Sequence, residues 1–359
     1  MKIATEDFAR MASACARIAD AKNPVPAFRN VLLSATDGRL TVTASNGEYW
    51  LTLHSPCEGD LAPTLAPADK LADAAGKMKA DTLDIDLDGS ALTIKAKGSR
   101  RKLQVSAGDA FPALERFDGT CLLIDAKRLV ECFAFAGPFA DTDAKTRANM
   151  CGINLQSRDG KLCLAATDGD AIAMIEYGEA PDIEPVTVPV TFAREAERLG
   201  MGDSTTLLIG KRKVALQWPE GELVAPLVEG KFPAYMQAVP IDPPIAVTAQ
   251  ADDLASAASG TKGFGNAAGK FGAALAISPD DSGVTIQART GEGEAVDTVA
   301  ADVTGNLPPF GLSSAYLERT CKAFAGERLS LLITEAVKPI LARVGDGMDR
   351  FAIIMPRRI

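Results

Sequence analysis

Apolar residues fall at helical spacing over residues 5–22, where Phe8, Met11, Cys15 and Ile18 share one face, Thr5 and Glu6 supply start signals, and Pro24 and Pro26 end the helix. The pattern then switches to alternation, which predicts strands over Asn30–Ser34, Arg39–Ala44 and Glu48–His54. A second helix is predicted over Ala68–Ala80, opened by Pro67 and carrying Leu71, Ala74, Ala75 and Met78 on one face. Leu83, Ile85 and Leu87 alternate with Asp84, Asp86 and Asp88, and strands at Leu92–Ala96 and Lys102–Ser106 lead to Phe111-Pro112.

The same order then returns twice. A helix opens at Asp125 with Leu129, Cys132, Phe133 and Ala136 inward; strands follow at Gly152–Gln156, Leu162–Ala166 and Ala171–Tyr177, then a helix over Thr191–Leu199 and strands at Thr205–Ile209 and Lys213–Gln217. The last third has helices from Ala251 and Ser313 and strands at Ala273–Ile277, Val284–Ala288, Leu329–Ile333, Ile340–Val344 and Phe351–Ile354. One alternating strand with an acidic turn is written three times, from Gly38 to Glu48, from Gly160 to Asp170 and from Gly283 to Glu292. Leu40, Leu162 and Val284 occupy the same place in it, each 122 residues after the last, and Phe232-Pro233 follows Phe111-Pro112 by 121. A fixed period of this length in 359 residues predicts three similar α+β domains, each strand-rich with two helices, over residues 1–118, 119–242 and 243–359.

Composition narrows the class. With 47% hydrophobic and 24% charged residues the chain reads as an ordinary globular protein, with no apolar run of the ~20 residues a membrane span needs and no secretory signal in Met1–Asp7, so a cytoplasmic protein is expected. Its seven cysteines are scattered and read as free thiols. A net charge of −9 argues against a nucleic-acid partner, but the charge is unevenly spread. The helical stretches with their flanks hold 16 basic and 14 acidic residues, leaving 22 basic and 33 acidic residues elsewhere, so a polyanion facing the helices would be repelled by everything else.

Catalytic chemistry finds little support. Asp84, Asp86 and Asp88 project in parallel from one strand face and do not converge on an ion. His54 is the one histidine and stands apart from any nucleophile. The glycine-rich run Gly263–Lys270 lacks phosphate-loop spacing, has Phe271 where a hydroxyl belongs, and reads as a helix weakened by glycines. No catalytic residue, metal or cofactor is expected. The alternatives to a nucleic-acid-associated protein are a nonenzymatic peptide-binding repeat protein and a small-molecule enzyme using an interdomain cleft.

Four segments in order, Val25–Leu33, Ala165–Gly169, Glu229–Tyr235 and Ile353–Ile359, resemble the bacterial sliding clamp, the β subunit of DNA polymerase III. The resemblance implies a non-catalytic processivity factor: a head-to-tail homodimeric ring with helices lining a hole around duplex DNA, bound without regard to sequence, and sheets outside. It also implies a groove that takes short linear motifs from DNA polymerase and the clamp loader. Carried over residue by residue, the groove comprises Met150, Thr167, Gly169, Asp170, Ile172, Pro240, Ile245, Pro339, Ile353, Met355, Pro356, Arg357, Arg358 and Ile359. For DNA the resemblance points to Lys22 and Arg147; helix location adds Arg10, Arg17, Lys77, Lys79, Lys127, Arg194, Arg198 and Arg319. The ring seam is expected at edge strand Lys102–Ser106 against the region of Phe264 and Phe271. Departures from the family pattern are Ala148 and Asn149, where two aromatics are usual, Asp170-Ala171 in place of His-Arg, and Arg357 in place of an apolar residue. They imply an altered groove, as in an accessory or mobile-element clamp.

Overall fold

The computed structural model describes residues 1–358 except Asp203, Ala267 and Ala268; Ile359, one of the expected groove residues, lies outside the described residues. The chain gathers into two compact units, Met1–Val130 with Thr191–Leu227, and Glu131–Val190 with Val228–Ile359. The middle repeat is shared between them.

The first unit holds a four-stranded sheet in the order Lys2–Ala4, Thr82–Asp88, Ala91–Ala96, Ser99–Gln104. Its larger sheet has nine strands in the order Gly119–Ile124, Thr205–Gly210, Lys213–Trp218, Gly221–Pro226, Trp50–Pro56, Arg39–Ser45, Asn30–Thr36, Leu61–Pro67, Ser106–Ala107. The second unit repeats the scheme. Nine strands run in the order Val186–Pro189, Gly152–Arg158, Lys161–Thr167, Ala171–Glu179, Arg350–Ile354, Ile340–Arg343, Arg328–Ile333, Ile245–Gln250, Asp302–Thr304; four run Gly293–Ala300, Gly283–Thr290, Ala274–Asp280, Phe310–Ser313. The strand pairs among the described residues are antiparallel, and many join chain neighbours as hairpins.

Six α-helices occur among the described residues: α1 (Thr5–Ile18), α2 (Ala68–Gly76), α3 (Ala126–Ala136), α4 (Val190–Leu199), α5 (Ala251–Thr261) and α6 (Ser314–Ala323). The predicted apolar face of α1 is the buried one, with Phe8, Met11, Cys15 and Ile18 all in the core. α1 ends at Ile18, four residues before the predicted end. Ala19 turns extended, the Asp20 N–H bonds the Phe28 carbonyl at 3.1 Å, and the Asp20 carboxylate accepts the Lys22 N–H at 2.9 Å. Local side-chain bonding of this kind competes with another helical turn. α2 stops at Gly76 rather than Ala80, yet Met78 is still buried.

Several strands were not predicted, among them Leu61–Pro67, Gly221–Pro226, Ile245–Gln250 and Gly293–Ala300. Pro63 hides the first. It sits where the register against Asn30–Thr36 shifts between Leu33 and Ala35, a bulge in which the ladder bond that proline cannot donate is not required. The predicted Lys102–Ser106 strand is displaced: the edge strand is Ser99–Gln104, and the Val105 N–H leaves it to bond the Ser90 carbonyl at 2.8 Å. Phe264, on the expected opposite side of the seam, is exposed, whereas Phe271 packs edge-on against Tyr316 at 5.6 Å between ring centroids. The glycine-rich run is not a helix where described; Lys262–Phe264 and Gly269–Phe271 form single 3₁₀ turns.

Candidate functional site

Strand register collects the expected groove residues at one end of the nine-stranded sheet of the second unit. Thr167 faces Ile172, Ala171 and Ile340 both face Ile354, and Ile245 faces Ile333. Antiparallel pairing therefore brings the 168–170 turn, the chain before Ile245, the chain before Ile340 and the tail after Ile354 to a common edge. Gly169, Asp170, Pro240, Pro339, Met355 and Pro356 all lie in these connections. Apolar surface concentrates in the same segments: Ile241, Val337 and Met355 are 86%, 68% and 37% exposed. Ile172 is half-buried and packs against a cluster that includes Met174, Tyr235, Leu341 and Ile353. Ile353 and Ile245 themselves are buried, so their side chains are part of the core.

The turn Thr167–Asp170 is held from every side. The Thr167 hydroxyl donates to the Ala171 carbonyl at 2.8 Å and accepts the Gly169 N–H at 3.0 Å, while the Asp168 carboxylate accepts the N–H groups of Asp170 and Ala171. Gly169 has φ of +89°, a conformation that glycine adopts without penalty. The buried Asp168 carboxylate receives both terminal nitrogens of Arg319, each at 3.1 Å, and the Arg319 guanidinium lies between the rings of Phe139 and Tyr316 at 4.7 and 4.6 Å. Arg147 donates to the Asp168 carbonyl at 2.7 Å and pairs with Asp141 at 3.4 Å. Met150 closes the adjoining turn, its N–H on the Arg147 carbonyl and its own carbonyl accepting the Asp141 N–H.

Asp170 faces Lys270 at 3.0 Å and accepts a 3.4 Å bond from the Tyr316 hydroxyl. Burial, followed by the carboxylates of Asp168 and Asp170, pushes the Tyr316 phenol far above its ordinary value, so it stays a donor. The tail is pinned beside this cluster. The Met355 N–H bonds the Asp170 carbonyl at 2.9 Å, the Arg357 N–H bonds the Gly311 carbonyl at 2.8 Å, and the Arg357 guanidinium sits over Phe271 at 5.1 Å. Arg358 is exposed. Sequence reading missed Asp168, Lys270 and Tyr316 as the groups that fix this loop. Asp168 carried a signal, since an aspartate two residues before an acceptor-seeking N–H is the usual cap of such a turn.

The cations expected to meet DNA divide into two kinds. Arg10 pairs with Asp7, Lys77 with Asp73, and both Arg17 and Arg198 with Glu195. Lys22, Lys79, Lys127 and Arg194 are exposed and make no ion pair among the described residues. Arg147 and Arg319 are committed to the 168–170 turn.

Elsewhere the candidate chemistry is spoken for. Asp86 pairs with Lys95 at 2.5 Å. His54 Nδ1 lies 3.1 Å from the Thr41 hydroxyl, and burial together with Arg39 holds its pKa below the usual histidine value. Cys15, Cys57, Cys121, Cys151, Cys163 and Cys321 are free thiols; burial raises the Cys15 thiol and lifts that of Cys321 to about 12, so neither is a nucleophile at neutral pH.

The fold and its matches to known proteins define a processivity factor of DNA replication. Residues 1–115 match the N-terminal domain of the DNA polymerase III beta subunit and residues 125–234 its central domain. The chain is 27% identical over 362 residues to the beta sliding clamp of Caulobacter vibrioides, covering 95% of each, and 23% identical over 347 residues to that of Escherichia coli, covering 93% of each. A crystal structure of the Pseudomonas aeruginosa sliding clamp bound to griselimycin superposes with a TM-score of 0.92 at 24% identity, covering 100% of this chain and 99% of that one. The chain belongs to the bacterial sliding-clamp family, the non-catalytic β subunit of DNA polymerase III.

Proposed function

We propose that this chain, as a DNA sliding clamp, closes with a second copy into a head-to-tail ring of three domains per chain (1–118, 119–242, 243–359) around duplex DNA. In the cytoplasm it would tether a polymerase and other replication or repair proteins, and be loaded by a clamp loader, through the groove at the 168–170 turn. Topological enclosure removes the need for tight phosphate contacts, and weak, screened contacts permit sliding. The near-balanced charge of the helices suits that demand. Lys22, Lys79, Lys127 and Arg194 supply the contacts, because they are exposed and make no ion pair among the described residues; Arg147 and Arg319 act mainly on the groove.

The observation that carries the reading is the convergence of the turn, the tail and two apolar connections at one sheet end in a chain of this family. An apolar cleft with a few fixed polar anchors suits a short linear motif. Loading on circular DNA followed by a salt wash provides the test. Retention on the circle with loss after linearisation supports the ring, whereas equal loss from both rejects it. The ion-paired Asp170 and the stacked Arg357 favour an accessory clamp with altered motif preference, since they replace a basic pair and an apolar side chain at the groove.

A further inference from the structure

The two nine-stranded sheets carry the same cross-strand row in different chemistry. In the second unit Ala165 faces Met174, Met174 faces Phe351, and Phe351 faces Arg343. Ala165, Met174 and Phe351 are fully buried beneath Tyr235, whose hydroxyl accepts a 2.6 Å bond from Gln156. In the first unit the row reads Thr43, Thr52, Glu222 and Gln217 in the same register, and all four are half-buried. The Thr43 and Thr52 hydroxyls lie 3.3 Å apart, and Gln217 donates to Glu222 at 2.5 Å.

The covering segment differs in step. Phe111-Pro112-Ala113-Leu114 is the counterpart of Phe232-Pro233-Ala234-Tyr235, so Leu114 stands where the other unit has a tyrosine. Threonine for methionine, glutamate for phenylalanine and leucine for tyrosine leave the row uncovered. A hollow of about 480 Å³ opens there, walled by Trp50, Phe111 and Trp218, with Arg39 and Arg116 exposed at its rim. Trp50 and Phe111 stand edge to face at 5.8 Å, which fixes that wall.

We propose that this hollow is a second docking pocket, which receives the aromatic side chain of an acidic peptide segment from a partner protein. The ring enters between Trp50, Phe111 and Trp218; its polar tip meets the Thr52–Glu222 row; carboxylates beside it meet Arg39 and Arg116. The chain itself shows the fit, because a phenol with one side-chain hydrogen bond occupies the equivalent place in the second unit. The two arginines set the charge of the flanking residues, and a buried tyrosine or tryptophan anchor is the usual energetic centre of such a contact.

Trp50 and Trp218 are the only two tryptophans of the chain, so intrinsic fluorescence reads this pocket directly. The full chain is titrated with a capped hexapeptide of glutamates around one tyrosine. A saturable fluorescence change is expected, weakened about fivefold in Arg116→Ala and lost in both Leu114→Tyr and Thr52→Met, which fill the hollow from within. Thr52→Met decides alone if Leu114→Tyr does not fold. No saturable change at millimolar peptide, or unchanged binding by a folded filled variant, overturns the pocket. Equal binding of a serine-flanked tyrosine peptide overturns its acidic preference, and tighter binding of thymidine monophosphate overturns a peptide as its occupant.

Discussion

Arg319 reaches from α6 to Asp168 in the 168–170 turn, placing both terminal guanidinium nitrogens 3.1 Å from one carboxylate oxygen that is almost wholly withdrawn from solvent. A helix expected to face DNA is thereby tied to the loop expected to bind partners. Removing one member of such a pair strands a buried charge, and the loss exceeds what the intact pair contributes. Arg319→Ala is expected to lower unfolding free energy by about 3 kcal/mol, of the order measured for broken buried pairs. Urea denaturation reads it. Asp168→Asn should cost less, because the amide oxygen still accepts a hydrogen bond; a loss equal to that of Arg319→Ala would mean that charge alone sets the cost and the retained hydrogen bond contributes nothing.

The neighbouring pair of Asp170 and Lys270 is partly open to solvent, so it should contribute little to stability. Lys270→Ala is expected to shift stability by less than about 1 kcal/mol. Its effect falls on recognition instead. Asp170→His, which restores the residue usual in the family, should tighten binding of a standard clamp-binding peptide several-fold by fluorescence anisotropy. An unchanged affinity would show that the acidic rim does not set motif preference.

Gly169 tests the backbone of the turn. A Cβ added there would meet Arg147 Nη1 at 3.1 Å, on a residue whose φ of +89° side chains disfavour. Gly169→Ala should cost about 1–2 kcal/mol from conformation alone, with more if Arg147 must move. The same denaturation experiment with Arg147→Ala in the background separates the two contributions, since only the contact is relieved.

His54 gives the first unit a pH dependence. Its folded pKa is depressed by burial and by Arg39, so in the acidic range the unfolded chain binds the proton more readily than the folded one. Its contribution to stability is full above the unfolded value near 6.5 and is lost as pH falls through the depressed folded value. Thermal melts between pH 7 and pH 5 should show a decline that is smaller in His54→Gln.

Much of the architecture is written in local pattern. The buried face of α1 was legible from the spacing of Phe8, Met11, Cys15 and Ile18, because a helical face needs no more than the period of its own segment. The turn at Gly160–Asp170 and its two copies were legible for the same reason, and they disclosed the internal repeat. Strand Leu61–Pro67 was not legible, since Pro63 is tolerated inside it only because the register against its neighbour slips there. The end of α1 depended on a bond from Asp20 to Phe28, eight residues further along the chain.

The sequence by itself determined the helices and many of the strands, the threefold period and, through its resemblance to a family, the residues to watch at the groove. Tertiary structure alone decided what those residues do. Arg147 and Arg319 are both cations near helices, and nothing in their own segments says that their partners are the carbonyl and carboxylate of Asp168, 21 and 151 residues away. Nor could the pattern show that the row Thr43, Thr52, Glu222, Gln217 is the open counterpart of a filled one, since it is assembled from four strands by pairing. Periodicity is a property of one segment, whereas charge pairing and filling depend on which segments the fold brings together.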